Sequence, residues 1–373
     1  MDSRSALFSF PDPYDLEGSR SLFLQAIEEN VRFHYNACPE YRKIAQARGF
    51  SPHPLQTERE LSELPILPTI LFKRHDLRSM EGKKLLITAT SSGTGGTPSS
   101  IQFDMGGLFC GLRMVLRLGR YHHLFSPIPT NYIVMGYKPR RDNHTAAVKT
   151  AFGATLFTPA IRRRYALLYR DGKYVPDLDG IIQAIVSYSR SSFPTRFMGF
   201  PSYTYFVLRR MEEQGITVKL KSGSKIMLGG GWKQFYAQQV DKKALYALAK
   251  RVLDLSEKDF IEFFGAVEHP ILYCSCPNHH FHIPVYSRVI IRDVHTLQPL
   301  PYGCPGLVNL ITPMVKGAPL TSVMTDDLGV PHEPNSCGCG ISAPWLELLG
   351  RVGLKGSKTC AAGAEELLSE VKL

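Results

Sequence analysis

The chain has 373 residues, of which 44% are hydrophobic and 21% charged. That balance belongs to a folded globular protein with a sizeable core and excludes the disordered and fibrous classes. Lys and Arg number 44 against 33 Asp and Glu, a net charge of +11, which favours anionic partners. The basic residues are scattered rather than gathered beside a reading motif, so a phosphate-bearing small molecule fits better than nucleic acid.

No window reaches the roughly 18 uninterrupted apolar residues of a membrane span. The opening Met1-Asp2-Ser3-Arg4 lacks the basic and apolar regions of a signal peptide. A cytoplasmic protein is therefore expected, with its eight cysteines held as reduced thiols.

In chain order, Leu16 to Tyr35 places Leu16, Leu22, Phe23, Ala26, Ile27 and Val31 at helical spacing, which predicts an N-terminal helix packed on the body. Leu85-Leu86-Ile87 reads as a short strand. Cys110, between Leu108-Phe109 and Leu112, reads as core filler. Asn131–Gly136 is a candidate buried strand ending in glycine, and Ile181–Val186 a helix. Phe197–Ser202, Lys225–Trp232 and Phe260–Gly265 repeat the pattern of strand into turn, with a helix over Asp241–Leu253 between the last two. Ser287–Arg292 and Gly306–Ile311 read as β segments. Strands alternating with helices, several ending in glycine, predict an α/β protein with ligands at the strand ends.

The densest local signal is Ser91-Ser92-Gly93-Thr94-Gly95-Gly96-Thr97. Glycines let backbone N–H groups approach a phosphate closely, and the hydroxyls add neutral donors. No Gly-Lys-Ser or Gly-Lys-Thr follows, so this is not a Walker loop. The cysteines supply a second signal. Cys274-Ser275-Cys276-Pro277-Asn278-His279-His280-Phe281-His282 and Cys337-Gly338-Cys339-Gly340 bring soft ligands together in two clusters, the donor chemistry of structural Zn²⁺. The expected quartet is Cys276, His282, Cys337 and Cys339, with Cys274 or His280 as substitutes.

Four blocks then occur in a telling order: Thr90–Ser99, Gly229-Gly230-Gly231-Trp232-Lys233, Phe264-Gly265-Ala266-Val267-Glu268 and Thr325-Asp326-Asp327-Leu328-Gly329. The order resembles that of adenylate-forming enzymes, the acyl-CoA synthetases and phenylacetate-CoA ligases among them. More closely still the chain resembles the LuxE-type acyl-protein synthetases of bacterial luminescence. Pro65-Ile66-Leu67-Pro68-Thr69-Ile70-Leu71-Phe72-Lys73 is similar to that family's lead-in, and a cysteine near the C-terminus is shared. The resemblance covers roughly residues 60 to 365.

The resemblance implies a fold and a set of roles. The fold is a large layered-sheet α/β body over 1–350, with a β-rich zinc-bearing portion and a truncated C-terminal tail over 351–373. Ser92, Gly93, Thr94, Gly95 and Gly96 would cradle the phosphates of ATP. Gly230 and Gly231 would line the adenine side, and Phe264 would pack on the base. Glu268 would bind Mg²⁺, Asp327 would accept from the ribose hydroxyls, Arg351 follows in the motif, and Lys233 would contact substrate carboxylate or phosphate. The implied reaction is adenylation of a carboxylic acid, then thioester formation on Cys360, whose lysine flanks favour the thiolate. A reductase or acyl carrier protein would exchange the acyl group. Two alternatives are kept: an acyl- or aryl-CoA ligase with coenzyme A as acceptor, and a weakened relative that helps an acidic carrier protein.

Overall fold

The computed structural model describes residues 2–80, 85–90, 99–140, 143 and 145–351. The loop Ser92–Gly96 and Cys360 lie outside the described residues. The fold is α/β, and Cα proximity divides it into two units, residues 1–118 with 265–373 and residues 119–264.

The first stretch carries α1 (Ser3–Leu7), α2 (Arg20–Ala37), α3 (Pro39–Ala47), β1 (Leu67–Pro68), α4 (Thr69–Arg74), β2 (Leu85–Thr90), β3 (Ser100–Asp104) and α5 (Met105–Tyr121). The expected N-terminal helix is α2. It starts four residues later than its apolar pattern, because the preceding segment turns back through Asp15, whose Oδ1 accepts from Gly18 N at 2.8 Å. Phe23, Ala26, Ile27 and Val31 all point inward from α2. Cys110 is fully buried on α5, as its neighbours predicted.

The middle stretch is the second unit: β4 (Thr130–Tyr137), α6 (Ala146–Ala154), β5 (Ala160–Arg170), β6 (Lys173–Pro176), α7 (Leu178–Ser189), β7 (Thr195–Gly199), α8 (Pro201–Glu213), β8 (Lys225–Gly229), α9 (Lys242–Leu253) and β9 (Phe260–Phe264). Its strands lie in the order β9-β8-β7-β4-β5-β6. All neighbouring pairs are parallel except β5 with β6. β4 and β7 are apolar on both faces because helices cover both. Ile133, Met135 and Phe197 pack with α7, α8 and α9, while α6 lies against β4 and β7.

The last stretch returns to the first unit with β10 (Tyr273–Cys274), β11 (Phe281–His282), β12 (Arg288–Arg292), β13 (Gly306–Ile311), β14 (Ser322–His332) and β15 (Trp345–Arg351). Strands β11 to β15 form a sheet in the order β11-β15-β14-β13-β12 with antiparallel neighbours, and β1 joins β14 in parallel, Leu67 opposite Val323. Among the described residues no helix is long and apolar enough to cross a membrane.

Candidate functional site

In the second unit, Gly230 and Gly231 follow β8 with φ of +82° and +65°. That left-handed pair is open to glycine at little cost, and it ends the strand in a turn with the backbone exposed. Gly229 pairs with Phe263 across β8 and β9. Phe264 therefore lies one residue beyond the register partner of the glycine turn, at the carboxyl ends of adjacent parallel strands, where α/β sheets bind ligands. Lys233 opens the short 3₁₀ turn Lys233–Gln238 that follows.

In the first unit, Glu268 is 5% exposed. It sits in a tight turn in which Ala266 and His269 exchange backbone hydrogen bonds. The Ser99 hydroxyl donates to its Oε1. Among the described residues no cationic side chain pairs with this buried carboxylate. A hard oxygen donor with a neutral hydroxyl partner and no cation suits a Mg²⁺ ion.

Asp327 and Arg351 occupy register positions opposite one another on β14 and β15. A bulge at Leu328 and Gly329 offsets the ladder just beyond them. Gly329 is needed there: a Cβ would come within 2.7 Å of the Glu347 carbonyl oxygen. Arg351 Nε lies 3.8 Å from Asp327 Oδ1, and its Nη2 lies 3.8 Å from Asp326 Oδ2. Thr325 Oγ1 accepts from Asp327 N at 3.2 Å and donates to Val308 O, which fixes the turn of the strand. Burial holds the Asp327 carboxyl above its ordinary value. Arg351 and Thr325 pull against that, while Asp326 and Glu268 reinforce it. Glu268 is thus close enough to Asp327 to be felt electrostatically.

The sulfur cluster is built by two loops of the first unit. The loop from Cys274 to Phe281 closes on itself, Cys276 N donating to His280 O at 2.9 Å, with His279 at a φ of +59°. The loop between β14 and β15 turns through Gly338 and Gly340 at φ of +73° and +92°. Pairing of His282 with Trp345 and of Phe281 with Leu346 ties β11 to β15 and brings the loops together. One ligand atom from each of Cys276, His282, Cys337 and Cys339 then lies within 4.8 Å of the others. Cys276 Sγ is 3.6 Å from Cys337 Sγ, and Cys339 Sγ is 3.2 Å from His282 Nε2.

His282 Nδ1 is 2.7 Å from Ala343 O. A proton on Nδ1 donates there and leaves Nε2, the nitrogen facing the sulfurs, as a lone-pair donor. His280, one of the two candidate substitutes, lies outside the four: its Nδ1 is 3.1 Å from Cys337 Sγ. Its ring stacks on Trp345 at 3.7 Å, and His332 also stacks on Trp345, at 3.6 Å. Cys274, the other substitute, is fully buried with its Sγ toward Ser275 O. Burial pushes the Cys276 thiol up to about 12 and raises that of Cys337. Three thiols crowded around one imidazole suit a cation that would take them as thiolates.

Sequence reasoning did not single out Ser99 or Asp326, and it left Lys73 without a role. Asp326 stands beside Asp327 in the Thr-Asp-Asp block, and Lys73 closes the Pro-rich lead-in, so both signals were present. The supporting stack of His280, Trp345 and His332 had no sequence signal, since it joins three separate segments.

The fold defines the class. Over 91% of its length the chain superposes on 69% of a 2-hydroxyisobutyryl-CoA ligase bound to 2-HIB-AMP, with a TM-score of 0.67 and 13% identity; the architecture is that of the adenylate-forming ligases. It is 23% identical to the long-chain-fatty-acid–luciferin-component ligase of Vibrio harveyi, over 94% of this chain and 89% of that protein. It is 24% identical to the phenylacetate-coenzyme A ligase of Aromatoleum evansii, over 85% of this chain and 69% of that protein. The family model for acyl-protein synthetase, LuxE, matches residues 6–369. The chain belongs to that family and is a ligase.

Proposed function

We propose that the protein activates a carboxylic acid as its acyl-adenylate and transfers the acyl group to a thiol, the first acceptor being its own Cys360. The observation that carries this reading is the acyl-protein synthetase match along nearly the whole chain. A carboxylate is a poor electrophile because oxide would have to leave. When a carboxylate oxygen bonds to the α-phosphorus of ATP, the bond to the bridging oxygen breaks and pyrophosphate departs with the electron pair. The adenylate that remains has AMP as leaving group. A thiolate then attacks its carbonyl, and the protein contributes positioning and charge neutralisation.

The proposed roles follow the side chains. Ser92, Gly93, Thr94, Gly95 and Gly96 hold the ATP phosphates. Gly230, Gly231 and Phe264 serve the adenine, and Asp327, oriented by Arg351, accepts from the ribose hydroxyls. Glu268 holds Mg²⁺, which supplies neutralisation of the phosphate charge. Lys233 meets the substrate carboxylate or phosphate. Cys276, His282, Cys337 and Cys339 hold one structural Zn²⁺ that fixes the β11–β15 end of the sheet. The acyl group then passes to a reductase or acyl carrier protein. A second reading, transfer to coenzyme A, is favoured by the likeness to a phenylacetate-coenzyme A ligase.

One experiment separates these. ATP–pyrophosphate exchange is measured against a panel of aliphatic and aromatic acids, and the active acid is then supplied with a label. Label on the protein that hydroxylamine removes and that Cys360→Ser abolishes supports the first reading. Transfer to coenzyme A at an unchanged rate in Cys360→Ser supports the second. Silence across the whole panel sinks both.

A further inference from the structure

Asp326 faces two cations rather than one. Lys73 Nζ lies 3.9 Å from its Oδ2, and Arg351 Nη2 lies 3.8 Å from the same oxygen. Charge-assisted hydrogen bonds close to about 2.7–2.9 Å, so neither cation is engaged at full strength by this carboxylate. The Lys73 side chain is only 18% exposed, which makes a loosely paired ammonium costly to keep unless something anionic joins it.

The placement of Lys73 is built into the fold. Pro68 pairs with Met324 where β1 runs parallel to β14, and α4 begins at the next residue and packs on β14. Thr69 and Lys73 are one turn apart, on one face of α4. Thr69 is 2% exposed, and among the described residues its hydroxyl has no hydrogen-bond partner, an arrangement that costs free energy. The Pro-rich lead-in therefore delivers an ammonium to the edge of the Asp326–Asp327–Arg351 group.

Charge counting indicates what would join them. Among the described residues, Lys73 and Arg351 stand against Asp326, Asp327 and the nearby Glu268, a set of five that carries a single net negative charge when all are ionised. One divalent ion at Glu268 inverts it to a single positive charge. That matches the one negative charge of an acyl-adenylate phosphodiester.

We propose that Lys73 is a catalytic cation of the adenylation step, contacting the α-phosphate oxygens as the carboxylate oxygen bonds to phosphorus and pyrophosphate leaves, and that Asp326 is the positioning residue that aims it. The inference rests on the adenylation reading above. As an ammonium, Lys73 gains most where negative charge is concentrated in the transition state, so its removal acts on kcat more than on the KM for the acid.

The test compares binding of AMP with binding of adenosine by titration calorimetry on the full chain, because only AMP carries the phosphate. In Lys73→Met the AMP dissociation constant rises about tenfold or more while that of adenosine is unchanged. Lys73→Arg restores part of the loss. Asp326→Asn weakens AMP by an intermediate factor with adenosine unmoved, and Asp326→Glu recovers it. A pairing role confined to the fold would shift melting temperature in both variants and leave the AMP-to-adenosine ratio alone. Wild-type AMP binding with an unchanged ratio in Lys73→Met overturns this inference and leaves adenylation standing. A wild-type chain that binds neither AMP nor adenosine overturns both.

Discussion

Asp327 and Arg351 face each other across β14 and β15 as register partners, 3.8 Å apart at Oδ1 and Nε. The separation leaves the carboxylate incompletely compensated, and burial raises its pKa above the ordinary 3.8. A carboxyl raised in the folded state stabilises the fold below its unfolded pKa, and that contribution is lost as pH rises through the folded value. At pH 7 the ionised form of Asp327 is therefore a burden on stability, a cost that the proposed acceptor role toward ribose would explain.

The first prediction follows from that sign. Asp327→Asn raises the melting temperature at pH 7 by about 1–3 °C, and the difference closes as pH falls toward 3.8. The same variant weakens adenosine binding by about tenfold, because a charged acceptor is lost. Thermal melts across pH and one titration check both. A variant that is less stable at pH 7 contradicts the burden.

Zinc is the second. Purified protein should hold about one equivalent by atomic emission, from the four-ligand stoichiometry of structural sites. Cys337→Ser together with Cys339→Ser should lose it with a fall in melting temperature on the order of 10 °C, since metal binding is folding free energy. Cys274→Ser keeps the metal, because its sulfur lies toward Ser275 O rather than among the four ligands. Retention of zinc in the double variant would show that the sulfur cluster is not its site.

The third concerns acid. His34 and His269 are fully buried, and burial lowers both to about 3. His34 Nε2 is 3.1 Å from Val315 O and its Nδ1 is 2.7 Å from Ser79 Oγ; Lys316 and Arg4 nearby lower it further, against Asp104. His269 Nε2 lies between Tyr273 Oη and Ser287 Oγ. A histidine lowered on folding stabilises the protein above its unfolded pKa of 6.5, and that contribution is lost as pH falls toward the folded value. Unfolding free energy should drop below pH 6.5 with a slope of up to about 1.4 kcal/mol per pH unit for each group. His34→Gln should flatten that slope by one group's share, and an unchanged slope would remove His34 as a source.

Much of this was legible because it is local. The β13 strand occupies the same Gly306–Ile311 span that its apolar run indicated, and α9 begins at Lys242 beside the predicted start. Those segments carry their own periodicity and caps; Asp241 accepts from Lys243 N at the head of α9. The strand β5 was missed. Its Arg162-Arg163-Arg164 run hides the strand pattern, since those three side chains are exposed or partly exposed and the buried residues of the strand are only Ala166 and Leu167. The cysteine quartet was readable because tightly spaced soft ligands are informative by themselves. The partnership of Lys73 with Asp326 was not, since it depends on a two-residue strand, β1, docking beside a strand more than 250 residues later.

The last prediction concerns Ser99 and Glu268, a buried pair just after the loop proposed to hold the ATP phosphates. Ser99 gives Glu268 one neutral donor, enough to orient the carboxylate and too little to neutralise it. A divalent ion would complete the compensation, so ATP affinity should depend on Mg²⁺ through this side chain. Glu268→Gln keeps the shape and the Ser99 contact while removing the charge. Its ATP dissociation constant should be nearly the same with Mg²⁺ and with EDTA, whereas the wild type should tighten about tenfold or more when the ion is present. Ser99→Ala should retain the Mg²⁺ response and lose only a few-fold in affinity, because the ion can still meet the carboxylate. Titrations of the three proteins with and without Mg²⁺ check this. A Glu268→Gln variant that still tightens with Mg²⁺ as the wild type does would place the ion on other ligands.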